Sequence, residues 1–587
     1  NSMQPNLEQI INLNPGAILP SPFENSGGLG RIGVEAKDAV DGVHFTAEEI
    51  AAAQEGGPAY GKTVDDWKVA PAAAVAAVAE VKAMVYGDVN VTLRSEGGST
   101  ATGFYIDHYT GDHAGVVKSG RVFGCNNLNG SPLGNVTVTV WKTAQGNIQR
   151  SESANKSSTD ATYELAAVYG GGNLANYTAT GKKTHVIING CGDPSIEYVY
   201  GGGNSAAVPE ASVDINATYE VGYVFGGGNG KDQYTLDNGT NWIDNPGANV
   251  NGNATTRLYG GVIHEAFGGS NEKGAISGSV SINSNSALST CDLSLGKLYG
   301  AGKNADIDGD LIVIMDCMPG DENPTDEVYG GAENANVKGN VELTITSGSF
   351  RKVFGGNNTS GAIFGHIILN IEETGCTPIK IDELYLGGYN APYSVYGYKN
   401  TGTDDAPVYV ARTSTEDGTA VTFDFNEHTT PDATTGQYDD PVLNIISCTR
   451  IGKVFGGGLG SGAVIYGNPT VNINQIYGIK SDGNGGYTAK ATTLGEIGDV
   501  YGGGNEAAVV GNTEVNICTQ SSVEINTKPK HLGTPDTDYT YDDTKKKYIV
   551  PVVSANITSN VFGAGKGVET DVTKAMVSGK CTVNMAN

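Results

Sequence analysis

One six-residue phrase recurs along the chain: an apolar residue, an aromatic, glycine, glycine or another small residue, a variable position, then usually asparagine, as in V-Y-G-G-G-N from Val168. Copies begin at Val122, Val168, Val199, Val224, Ala266, Leu298, Val328, Val353, Tyr385, Val454, Val500 and Val561. Self-similarity with a period of tens of residues is the mark of a solenoid, in which each unit buries its apolar face only against its neighbours.

The shortest repeat, Val199 to Val224, returns to its starting point in about 25 residues. Between phrases lie short period-two segments, such as Val213 with Ile215, Val341 with Leu343 and Ile345, and Val471 with Ile473, each with one face inward. Short strands separated by Gly and Asn corners, one coil per period, predict an all-β chain folded as a right-handed parallel β-helix. Twelve coils at about 4.8 Å each give a rod on the order of 60 Å long.

The first glycine occurs in every copy as aligned this way, at Gly124, Gly170, Gly201, Gly226, Gly268, Gly300, Gly330, Gly355, Gly387, Gly456, Gly502 and Gly563. A position that excludes all side chains needs positive φ or close backbone approach. The aromatic is Phe or Tyr in every copy but one, where Leu386 stands, so packing explains it better than a hydroxyl does. The rings are expected to stack from coil to coil. The Asn at Asn173, Asn204, Asn229, Asn271 and Asn505 suits a left-handed corner, and stacked copies would form a hydrogen-bonded ladder.

Longer gaps at residues 128–160, 231–257, 395–447, 478–495 and 526–553 read as loops leaving the coil, where recognition varies on a rigid scaffold. The stretch Thr401 to Asp440 has room for a hairpin, with Val408 to Val410 and Val421 to Phe425 as its strands. Residues 1–40 read as an extended segment, and 41–95 as a small, partly helical N-terminal cap on the β-helix of 96–587. The cap is expected from the Thr46/Glu49 capping box and the Ala-rich segment after Pro71. The first coil is expected near Val85, where Val89, Val91 and Leu93 alternate.

A formal charge of −28 opposes binding to a phosphate backbone, so nucleic acid is excluded as a natural partner. No apolar run reaches the length of a transmembrane helix. The eight cysteines stand singly, without C-x-x-C spacing, and read as small buried fillers rather than a disulfide framework.

The densest metal-like grouping is Asp107, His108, Asp112 and His113. Two sequential Asp-His pairs match no familiar ligand spacing, and a polar surface loop is the competing reading, so no metal or cofactor is assigned. Asp306, Asp308 and Asp310 resemble a calcium loop, but the aligned repeat carries Lys338 at the place of Asp308, which a cation site would not tolerate. The acid pairs Asp404/Asp405, Asp439/Asp440 and Asp542/Asp543 fall among turn residues, and no catalytic residue is assigned. Tyr389, Tyr393, Tyr396 and Tyr398, with Asn390 and Asn400 nearby, form the candidate ligand platform: such rings stack on sugars. Packing of these rings on the coil is the alternative.

The run G-G-G-N, then A-x-V-x-G, then V-x-V-x-I, as from Val500 to Ile517, resembles large β-helix surface proteins of gut Bacteroidetes described as adhesins, and in architecture autotransporter passenger domains. The resemblance implies a secreted or cell-surface protein, exposed outside the bacterial outer membrane, that binds a glycan or a host or surface protein. A β-helix polysaccharide lyase or hydrolase and a passive stalk are the alternatives.

Overall fold

Each coil begins with the strand that carries the phrase and ends with an alternating strand, and the two classes of strand build separate sheets. The computed structural model describes residues 84–94, 106–114, 116–143, 153–236, 239–394, 398–400, 409–411, 440–484, 486–533 and 538–586. One parallel sheet has 12 strands, from Arg121–Phe123 to Val561–Phe562, and a second has 13, from Val89–Leu93 to Cys581–Met585. A narrow third ladder closes the coil. It runs through parallel bridges linking Val208, Val250, Ile276, Ile307, Val337 and Ile363, then through Tyr393–Ser394, Ile465–Tyr466 and Val509–Val510. The chain is a parallel β-helix.

One coil shows the order: Ser195–Tyr200 in the first sheet, the glycine corner, Val208 in the third ladder, Ala211–Ile215 in the second sheet, then Glu220–Phe225 directly above the starting strand. Alternation in the second sheet is clean, with Val136, Val138 and Val140 buried and Thr137 and Thr139 half-buried outside. Val199, Val224, Leu298 and Val353 complete the interior from the first sheet. Each such aliphatic side chain contributes about 2 kcal/mol by leaving water.

The aromatic next to each of these forms a second, continuous column: Phe123, Tyr169, Tyr200, Phe225, Phe267, Tyr299, Tyr329, Phe354, Tyr385, Phe455, Tyr501 and Phe562. Neighbouring ring centroids are 4.6–5.1 Å apart and their planes lie within 10°. This separation is the strand spacing, so backbone pairing sets the ring separation.

The register corrects one alignment. Phe354 pairs with Tyr385, which pairs with Phe455, so this copy starts at Leu384 and its aromatic is Tyr385. Leu386, fully buried, therefore occupies the first-glycine position, and its N–H still donates to the Phe455 carbonyl at 2.9 Å. In the other copies close approach, not positive φ, selects glycine: a Cβ on Gly170, Gly201, Gly226, Gly268, Gly330, Gly355, Gly456 or Gly502 would lie 2.2–2.5 Å from a carbonyl oxygen of the next coil.

The corner asparagines are likewise not left-handed. They form a ladder instead: the amide of Asn204 donates to Asn173, Asn229 to Asn204 and Asn271 to Asn229, at 2.8–2.9 Å.

On the outer face of the first sheet, register stacks Glu265, Lys297, Glu327, Lys352, Glu383, Lys453 and Asp499 in one column of alternating sign. In-register parallel strands would place like charges a strand spacing apart, and alternation removes that repulsion. Toward the N-terminal end the same column continues as Tyr223, Tyr198, Ala167 and Arg121.

Several expectations change. Val136–Val140 belongs to the coil, so the loop placed at 128–160 starts only after it. Val250 and Ala254–Leu258 also belong to the coil, which ends the 231–257 excursion earlier. The last insertion begins by Ser522 and is a three-stranded antiparallel sheet with its own apolar cluster around Val523, Ile525, Leu532 and Val550. Four cysteines are not fillers: Cys191 bonds Cys291 and Cys317 bonds Cys376. The first coil does begin with Met84–Val85 and Val89–Leu93, paired to Ser131–Pro132 and Val136–Val140. The extended segment 1–40 and the cap up to residue 83 lie outside the described residues. Among the described residues no helix is long and apolar enough to cross a membrane.

Candidate functional site

Two excursions meet over the N-terminal end of the ring column. The first is a hairpin in which Asp107–His108 pairs with Val117–Ser119, tied by Lys118 to Asp107 at 3.3 Å. The second leaves the coil after Asn229 and is closed by reciprocal backbone hydrogen bonds between Tyr234 and Ile243 at 2.8 and 2.9 Å. Gln233 donates to Asp244 at 2.5 Å, while the Asn245 side chain holds the Asp232 carbonyl and accepts from the Gly247 N–H at 2.9 Å.

Trp242 joins them. Its indole stacks on the His113 imidazole at 3.6 Å and meets Tyr109 edge-on at 4.9 Å. Below this clasp opens a shallow cleft, open to solvent, lined by Tyr109, Val116, Val117, Arg121, Asn173, Leu174, Asn204, Asp232, Gln233, Tyr234, Thr235 and Trp242. Three aromatics form its walls, and the asparagine ladder with Arg121 lies at its base. Burial raises the carboxyl pKa of Asp232, an effect that Lys231 opposes. Burial also raises Glu197, which His108, Lys231 and the Tyr198 hydroxyl partly relieve. The Arg121 guanidinium lies 5.4 Å from the Phe123 ring centroid.

The predicted metal-like residues thus hold a hairpin together: Asp107 is ion-paired, His108 is exposed, Asp112 sits in the turn Gly111–His113, and His113 is stacked on the indole. Among the described residues no three His, Cys, Asp or Glu converge on one point as a metal site. The Asp306–Asp310 turn is structural, with Asp308 paired to Lys338 at 2.6 Å and Asp306 and Asp310 accepting backbone N–H groups of the next coil at 2.8–2.9 Å. Asp440 accepts the Asn468 N–H, and Asp542 closes a hairpin turn through the Thr544 and Lys545 N–H groups. Asp404, Asp405 and Asp439 lie outside the described residues.

Of the tyrosine platform, the described side chains are those of Tyr389 and Tyr393. Tyr393 is a buried residue of the third ladder whose hydroxyl donates to the Gly365 carbonyl at 3.0 Å, which corrects its reading as a ligand contact. Tyr389 is exposed and tilted against Phe354. Tyr398 begins a strand, Tyr398–Asn400, that pairs antiparallel with Tyr409–Ala411, so the strand expected at Val408 to Val410 has this earlier segment as its partner. Tyr396 and Val421 to Phe425 lie outside the described residues.

Sequence reasoning missed Tyr109, Arg121, Tyr234 and Trp242. The only available signal was an aromatic pair inside an insertion already marked for recognition, since nothing local links it to the hairpin. No family model, curated protein or solved structure matches this chain.

Proposed function

We propose that this chain is a non-catalytic carbohydrate-binding protein, secreted or displayed at a cell surface, in which the β-helix is a stiff support and the clasped cleft is the binding site. The cleft carries the reading. Aromatic walls suit the apolar faces of sugar rings, and the half-buried Asn173 and the exposed Gln233 offer hydroxyls the hydrogen-bonding capacity of their amides beyond the Asn204–Asn173 and Gln233–Asp244 bonds. Two disulfides agree with an oxidising, extracellular setting. The resemblance to surface adhesins points the same way.

A hydrolase would need two carboxyls flanking a scissile bond, whereas Asp440 and Asp542 are engaged in corners and turns. A glycan-array screen of the full chain, followed by mass spectrometry of any bound glycan, tests the proposal. Saturable binding of intact glycan that Trp242→Ala abolishes is the expected result; shortened or unsaturated products would replace it with the enzyme reading, and silence would reject it.

A further inference from the structure

We propose that the sugar bound in this cleft carries a carboxylate, as uronic and sialic acids do, and that Arg121 receives it. The inference rests on the carbohydrate reading above. Its basis is the pairing of charge along one column of the first sheet. Lys297, Lys352 and Lys453 each have an acidic register neighbour on both sides, and Lys297 and Lys453 close ion pairs of 3.1 and 3.0 Å with Glu327 and Glu383. Arg121 is the exception. Its register partner is Ala167, and it makes no ion pair with a described carboxylate.

This unmatched cation lies in the cleft, half-buried and held over the Phe123 ring. A guanidinium fixed against an aromatic face has lost part of its freedom before a ligand arrives, so less is lost on binding. Its planar fork matches a carboxylate through two parallel hydrogen bonds. The chain as a whole is strongly acidic and would repel an anion at long range. At physiological salt that field is screened beyond about 8 Å, so the charges on the cleft lining decide: Arg121, with Asp232 as the other charged residue there. The carboxylate end is thereby anchored at the base while the aromatic walls take the ring.

The test is calorimetric titration of the full chain with methyl β-glucuronide, the methyl glycoside of N-acetylneuraminic acid, neutral methyl β-glucoside and a glutamate-rich peptide, at low and high salt. One of the two acidic sugars is expected to bind at least tenfold more tightly than the glucoside, with the advantage shrinking as salt rises. Arg121→Gln should bring the acid-to-neutral ratio close to one at an unchanged melting midpoint, and Arg121→Lys should restore part of it. Equal affinity for acidic and neutral sugars would overturn the role of Arg121 while leaving the carbohydrate reading intact. Binding of the peptide alone, or no binding of any probe with the Trp242 fluorescence unaltered, would overturn both.

Discussion

The imidazole of His113 and the indole of Trp242 lie face to face at 3.6 Å, inclined by 12°, although they belong to excursions from different coils. This contact clasps the hairpin to the insertion and so gives the cleft its second wall. Because the clasp lies outside the coil, Trp242→Ala should cost only about 1 kcal/mol of stability yet lower glycan affinity more than tenfold. Paired melting and titration curves check both halves; a large loss of stability would place Trp242 in the folding core instead.

The ring column separates packing from hydroxyl chemistry. Tyr299 is buried between Phe267 and Tyr329, and its hydroxyl accepts a hydrogen bond from the Asn358 amide at 3.0 Å. Tyr299→Phe should cost about 1 kcal/mol, whereas Tyr299→Ala opens a gap in the column and should cost about 3–5 kcal/mol. Urea midpoints of the two variants give the comparison.

A Cβ on Gly226 would lie 2.2 Å from the Gly268 carbonyl oxygen and 2.6 Å from the Thr256 hydroxyl. Both neighbours belong to coils in mid-helix, so neither can move without its own ladder. Gly226→Ala should therefore destabilise by about 1–3 kcal/mol or more, despite the ordinary benefit of alanine over glycine. Thermal unfolding measures it. A neutral result would mean that the coil spreads here as it does to admit Leu386.

Glu372 gives the molecule a pH dependence of unusual sign. It ends the strand Ile367–Glu372 at a register shift, and its Oε2 has no hydrogen-bond partner among the described residues. Burial pushes its carboxyl up to about 7, with Lys547 opposing the shift and Glu342 adding to it. The folded state then holds a proton that the unfolded chain has released, so this group's contribution is full below about pH 4.5 and is lost as pH rises toward 7. The loss amounts to as much as about 3 kcal/mol. Glu372→Gln should gain relative to the parent chain over that window, read as the difference in urea midpoint at pH 4.5 and 7.5; an equal difference at both pH values would reject the assignment.

Much of the scaffold was readable because its signals are local and repeat. The 25-residue return from Val199 to Val224, the alternation of Val341, Leu343 and Ile345, and the ring in each phrase all follow from strand geometry. The shift by one residue at Tyr385 was not readable, since Y-L-G-G fits the phrase when read alone and only pairing with Phe354 and Phe455 fixes it. Cys191 and Cys291 carry no spacing that marks them as partners, being 100 residues apart and brought together by coils that stack between them. Tyr393 looked exposed because it stands among Tyr and Asn, yet the third ladder turns it inward.

The sequence alone determined that this chain coils, because every strand must pair with its counterparts above and below and the repeat supplies those counterparts. Tertiary structure decided which excursions touch. Arg121, Asn204 and Trp242 meet because the coil places successive turns a strand spacing apart, so residues far separated along the chain become neighbours along the axis. A period in sequence encodes that axis, but the side chains that leave it obey no period, and only their positions in space join them into a cleft.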